Sequence, residues 1–212
     1  MNAVGRPRHR RRIEPSYIER VLQVAVRLPS TIADVAEYLA DVTALDAAGA
    51  AAIWVDGTGL EPWVLLGAMS SVTHRVRLGC LLTSTETWPS EALAASVTTL
   101  QKLSRGRAVV AVPSPRGPGA LRIFSAGSNE EAQEGSIFEV ESADQLVEAR
   151  DAPLEVWAAI EVPPDRAAWA AALSAYEAAG ATGVIVPWNE RVLDLLRNPE
   201  PDDRTDLLIS TG

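Results

Sequence analysis

Cysteine and histidine are scarce in this chain, and no long apolar run occurs in its 212 residues. Cys80 is the only cysteine, which excludes an intrachain disulfide and makes a reducing compartment natural. No apolar stretch reaches the roughly 18 residues that a membrane-spanning helix needs. The arginines near the start are not followed by an apolar signal-peptide core, because Glu14, Glu19, Arg20 and Gln23 interrupt that region. A cytoplasmic location is the expectation that remains. His9 and His74 are the only histidines, and His74 is expected at a helix end beside the C-terminal dipole. No metal-ligand cluster, Cys–His pair or nucleophile elbow is present, so no metal is expected and no catalytic residue is assigned.

Charge is plentiful but uneven. The formal net charge is −9, yet Arg6, Arg8, Arg10, Arg11 and Arg12 lie together at the start. An acidic body excludes nucleic acid from the main surface, which would need a basic face to displace phosphate counterions. Residues 1–18 read as a solvated, disordered basic arm, the one part suited to RNA, DNA or an acidic partner. A single domain over 19–198 and a polar tail over 199–212 complete the division.

Within that domain, short apolar runs alternate with helical patterns. Val21 to Leu28 predicts a buried strand ended by Pro29-Ser30, and Ser30 or Thr31 is expected to cap a helix running to about Ala48. Val35, Leu39, Val42 and Leu45 recur at helical spacing, and Gly49 supplies the stop. Strands are predicted at Ala52 to Val55, Arg75 to Leu82 and Ala108 to Val112. Helices are predicted from Pro62 to about Thr73 and from Ser90 to Leu103. Such alternation with short connections implies a parallel sheet with right-handed crossovers. Near the end the pattern returns, with strands at Leu154 to Val162 and Gly183 to Val186. The helix between them covers Asp165 to Ala179, and a last one covers Glu190 to Arg197.

The middle departs from this rhythm. Residues 114–153 are rich in Gly, Pro, Ser and Glu, with two weak strands at Leu121 to Ser125 and Ser136 to Val140 and a short helix at Ala143 to Arg150. Two ordinary βα units do not fit there. An eight-unit barrel ordinarily takes about 250 residues, so the fold is expected to be irregular or partly open between its fourth and seventh strands. Glu130, Glu131 and Glu134 read as a solvated helix face or loop.

Three blocks carry a family resemblance. They are Leu45-Asp46-Ala47-Ala48-Gly49 through Ile53-Trp54-Val55-Asp56, Leu66-Gly67-Ala68-Met69 through His74-Arg75-Val76-Arg77-Leu78-Gly79, and Thr98-Thr99-Leu100-Gln101-Lys102-Leu103-Ser104-Arg105-Gly106-Arg107. In this order and spacing they resemble the luciferase-like monooxygenases, and Tyr176-Glu177-Ala178-Ala179-Gly180 resembles the closing part of that family. The resemblance implies an α/β fold, a TIM (β/α)8-type barrel, here truncated or irregular between strands 4 and 7. It also implies an oxidoreductase or monooxygenase activity that uses FMN or the deazaflavin F420.

Ligands of such barrels sit at the C-terminal strand ends, so the resemblance points to Ser30, Asp56, Gly57, Thr83, Ser84, Ser114 and Trp188 as cofactor-binding candidates. Trp54, Trp63, Trp88 and Trp188 are candidate stacking walls, and Arg116 and Arg122 candidate phosphate partners. Leu78, Leu100 and Leu103 are expected between helices and sheet. The family's pairing through its second and third helices implies a homodimer or a pair with a related subunit, with Val64, Leu65, Leu93, Val97 and Leu100 divided between core and partner. Pro113 and Pro115 replace the glycines expected after the fourth strand, and the shortened part is where the family holds its phosphate. A degenerate, non-catalytic subunit acting by association is therefore the alternative to an active enzyme.

Overall fold

The computed structural model describes residues 22–57, 60–82, 90–114, 119–125, 133–147 and 155–198. The arm at 1–18, the tail at 199–212, and Thr83, Ser84, Trp88, Arg116, Glu130 and Glu131 lie outside the described residues. The first half alternates as its composition dictates: β1 (Gln23–Leu28), α1 (Val35–Ala48), β2 (Ala52–Asp56), α2 (Pro62–Val72), β3 (Arg77–Leu81), α3 (Ser90–Leu103) and β4 (Ala108–Pro113). Then come β5 (Ala120–Ser125), β6 (Gln133–Glu139), α4 (Ala143–Val147), β7 (Glu155–Ala159), α5 (Arg166–Ala178), β8 (Gly183–Pro187) and α6 (Glu190–Arg197).

Capping fixes where the helices begin. The Asp34 carboxylate accepts from the amides of Ala36 and Glu37 at 2.7 and 3.1 Å, so Asp34, rather than Ser30 or Thr31, caps α1. Pro29-Ser30 is followed by a longer connection than the expected one. Glu61 caps α2 through the Val64 amide, and Pro62 occupies the first helical position, where its missing N–H costs nothing. Asp165 and Asn189 do the same for α5 and α6. Gly49, at φ +88°, turns α1 into β2.

The eight strands close in sequence order into a barrel. Neighbours are parallel except at β5, which runs antiparallel to both β4 and β6. Closure decides between the two expected alternatives: the barrel is not open, and its irregularity falls between strands 4 and 7. An antiparallel strand needs only a tight connection, whereas a parallel one needs a crossover of a dozen or more residues. The short middle segment thus supplies two strands by sending one of them backwards. Glu134, expected on a solvated face, lies in β6 and bonds the Ser125 hydroxyl.

Lumen-facing positions alternate along the strands. Ala25, Trp54, Leu81, Val109, Ala111, Ile123, Ile137, Trp157 and Ile185 form one buried cluster with members from every strand. Trp54 and Trp157 are fully buried and dominate its volume. Room for them comes from glycine: a Cβ at Gly79 would stand 2.2 Å from Trp54 Cε3, and one at Gly183 would stand 2.4 Å from Trp157 Cζ3. Arg77 lies over the Trp157 ring at 5.5 Å and donates to Glu155 at 2.8 Å, which also accepts from the Trp157 indole N–H. These groups close the N-terminal end of the lumen.

A second cluster fills the layer between the sheet and the helices, including Val42, Leu45, Leu66, Met69, Leu78, Cys80, Leu100 and Trp169. Val35 and Leu103, expected in this layer, are instead exposed. Val35 sits in the first turn of α1, before the helix meets the sheet, and Leu103 ends α3.

The three sequence blocks meet at one place in this layer. Asp46 is buried, and its carboxylate accepts from the amides of His74, Arg75 and Val76 at 2.9, 2.9 and 2.7 Å, fixing the entry to β3. Partial burial would push its pKa up, but the three amides and the Arg75 charge outweigh that and hold it below the ordinary carboxylate value. The Arg107 guanidinium donates to the carbonyls of Ser104, Val76 and Thr73 and to the Thr73 hydroxyl. The end of α2, the start of β3 and the start of β4 are thereby tied together.

Candidate functional site

Lumen alternation carries on beyond the tryptophans. Two positions after Ala25 comes Arg27, and two after Trp54 comes Asp56, both at the C-terminal ends of parallel strands. Arg27 Nε donates to Asp56 Oδ1 at 2.9 Å and Nη2 to Oδ2 at 3.1 Å, a two-point pairing that holds both groups in one plane. Glu139, at the end of β6, stands 4.0 Å from Arg27 Nη1. Trp188 follows β8, and its amide donates to the Arg27 carbonyl. On the other side, the Tyr38 hydroxyl donates to the Pro29 carbonyl and fixes the exit from β1.

Around this ion pair opens a cavity of 940 Å³, bordered by the ends of β1, β2, β6, β7 and β8. Leu28, Ile160, Val186 and Trp188 give it apolar wall, and Glu139, Glu141 and Glu161 supply carboxylates besides Asp56. All three glutamates are exposed. Its size lies within the roughly 300–1,000 Å³ of ordinary ligand pockets, and its position is the functional face of a barrel.

Of the residues singled out from sequence, Asp56 and Trp188 line the cavity. Ser30, Gly57 and Ser114 lie on the same rim but outside the lining, each tied into backbone bonding: Ser30 O accepts from Leu60, Gly57 N donates to Leu81 O, and Ser114 N donates to Ala120 O. Thr83, Ser84 and Arg116 are outside the described residues. Trp54 belongs to the lumen and Trp63 to the helix–sheet layer, so neither is a wall of the site. Arg122 is no phosphate partner of this cavity: it alternates with the lumen-facing Leu121 and Ile123 and stacks on Phe124 at 5.3 Å. Cys80 faces the outer core, where burial, with smaller contributions from Glu61 and Asp56, pushes its thiol up to about 12, far from nucleophilic use.

Sequence reasoning passed over Arg27, Glu139, Glu141 and Glu161. Arg27 left a signal, a lone charge two places beyond a lumen-facing alanine in an apolar strand. The glutamates left none: Glu139 and Glu141 lie two apart around the end of β6 and Glu161 lies on a separate stretch, and exposed charges at such positions read as ordinary solvated surface.

The profile of the luciferase-like monooxygenase family matches residues 21–133, which is 113 of the 212 residues. The chain belongs to the luciferase-like monooxygenase family. No curated protein matches the sequence. Among solved structures, the luciferase-like chain is similar to the coenzyme F420-dependent tetrahydromethanopterin reductase from Methanopyrus kandleri. The identity is 12% and the TM-score 0.43, over 79% of this chain and 65% of the reductase, less than two thirds of its length. It is also similar to a cube-shaped, highly porous protein cage designed by fusing symmetric oligomeric domains, with 12% identity and a TM-score of 0.45, over 83% of this chain and 70% of that one. Among the described residues, no group of three or more His, Cys, Asp or Glu could hold a metal ion, and no helix is long and apolar enough to cross a membrane.

Proposed function

We propose that this luciferase-like chain is an oxidoreductase domain that seats the flat ring of a flavin or deazaflavin in the upper-rim cavity. The observation that carries this reading is the cavity itself, a ligand-sized opening at the C-terminal strand ends with apolar wall beside Trp188. FMN and F420 are the cofactors that family membership suggests, and the residues present suit their ring. Trp188 offers a stacking surface, Leu28, Ile160 and Val186 exclude water, and Arg27 with Asp56 offers hydrogen-bonding groups to a polar ring edge. A bound ring supplies the redox chemistry. Ser30, Gly57 and Ser114, with Thr83 and Ser84, are proposed as outer rim contacts.

Adding flavin or deazaflavin cofactors to the purified protein is expected to give a saturable change in ring absorbance. Trp188→Ala should weaken that binding about fivefold to tenfold through lost stacking. Failure of every ring cofactor to saturate would end this reading.

A second reading, association with another copy, is favoured by α2. This helix carries no charged residue, although the chain has a net charge of −9, and it exposes Ala68, Ser71 and 73% of Val64. Exposed Leu103 reaches the same region, 3.9 Å from where a Cβ at Gly67 would stand. A charge-sparse face lets two acidic copies meet with little mutual repulsion. We propose that α2 and α3 form the interface of a homodimer, and the two readings are compatible. Sedimentation velocity should show a dimer that Val64→Glu converts to monomer, with unchanged far-ultraviolet circular dichroism. A monomeric wild-type protein would remove the proposal.

A further inference from the structure

We infer that the upper-rim cavity selects a flavin without an anionic tail, riboflavin-like rather than FMN or F420. This rests on the ring-binding reading above and adds its charge preference. FMN differs from riboflavin by a terminal phosphate that is dianionic near neutral pH, and F420 carries a phosphate as well. A phosphate is ordinarily held by guanidinium groups, lysines or clustered amides. The described lining offers the opposite. Asp56, Glu139, Glu141 and Glu161 are carboxylates, and Arg27 is the one cation among the described lining residues. Arg27 is already engaged on two nitrogens by Asp56, and its remaining nitrogen stands 4.0 Å from Glu139. Among the described lining residues, that pairing leaves Glu141, Glu161 and most of the Glu139 charge uncompensated.

The geometry spreads these charges around the opening rather than under it. Glu139 ends β6, Glu141 follows it, and Glu161 lies just past β7, so any tail leaving the cavity on this side crosses a carboxylate rim. Three carboxylates facing a dianion through water-like surroundings amount to about tenfold in affinity at low ionic strength. The glutamates are exposed, so salt should reduce the effect strongly. At 1 M salt the Debye length is about 3 Å, and the difference is expected to fall to about twofold.

The test is a pair of titrations, riboflavin and FMN, with the full chain, followed by quenching of flavin fluorescence at low and high salt. Riboflavin should bind about tenfold more tightly than FMN at low ionic strength, and the ratio should narrow with salt. In the triple variant E139Q/E141Q/E161Q the ratio should move about fivefold or more toward FMN. FMN binding as tightly as riboflavin to the wild-type protein at low salt would overturn the charge preference and leave the ring-binding reading standing. A preference for riboflavin that neither salt nor the triple variant alters would also overturn it, because shape would then be the cause. If neither flavin binds, both the preference and the reading beneath it fail.

Discussion

Trp54→Ala is expected to lower the free energy of unfolding by about 3–5 kcal/mol, the range for deleting a large aromatic from a packed core. Trp54 is fully buried in the lumen, bounded by strands that are hydrogen-bonded into a closed ring. A closed sheet cannot collapse onto a missing side chain as two loosely packed helices can, so the cavity would persist. The complementary change is Gly79→Ala, whose new methyl would lie 2.2 Å from the Trp54 ring and force either the ring or β3 to shift. Overpacking of this kind costs about 1–3 kcal/mol. Because the two positions share one space, Trp54→Leu combined with Gly79→Ala should cost less than the sum of the single changes. Urea unfolding of wild type, Trp54→Ala, Trp54→Leu, Gly79→Ala and the double variant checks this. A Trp54→Ala protein within about 1 kcal/mol of wild type would show that the ring is not what fills the barrel.

Asp46→Asn is expected to cost about 2–3 kcal/mol at neutral pH, since hydrogen bonds to a charged acceptor are the stronger kind and a buried amide left without one is penalised. The carboxylate serves three consecutive amides at the entry to β3, and an asparagine must turn an N–H₂ toward at least one of them. The direction of the pH dependence follows from the lowered pKa. A group that holds its proton less tightly in the folded state contributes stability above its unfolded value, about 3.9 for aspartate, and loses it as pH falls through the folded value. The gap between wild type and Asp46→Asn should therefore be full at pH 6 and shrink steadily below about pH 4. Thermal unfolding of both proteins across that range is the measurement. A gap that stays constant into acid would mean that the carboxylate charge plays no part.

The first four strands were readable because they are largely buried and so written as mainly apolar runs, with amphipathic helix patterns between them. The third and last helices were equally plain, Ser90–Leu103 and Glu190–Arg197 matching residue for residue. The direction of β5 was not readable. Alternating side chains at Leu121, Arg122 and Ile123 look the same whether the strand runs up or down, and only its pairing with β4 decides. Closure was hidden for a related reason. It depends on Trp54 meeting Gly79 and Trp157 meeting Gly183, partners about 25 residues apart whose fit exists only once the strands are side by side. The rim had the same character. Asp56 and Trp188 could be placed because strand ends mark a barrel's working face, whereas Glu161 joins Glu139 and Glu141 only once β7 pairs with β6, and all three join Asp56 only once the barrel closes.

The tryptophan-filled lumen also sets the traffic of the molecule. With the passage through the barrel stopped from below by two indole rings, whatever occupies the rim must arrive and depart by one doorway. Two reactants using that doorway would either take turns, the first leaving before the second enters, or lie stacked together inside it. Steady-state patterns that separate alternating from simultaneous occupancy are thus a question about the barrel's plug as much as about its rim.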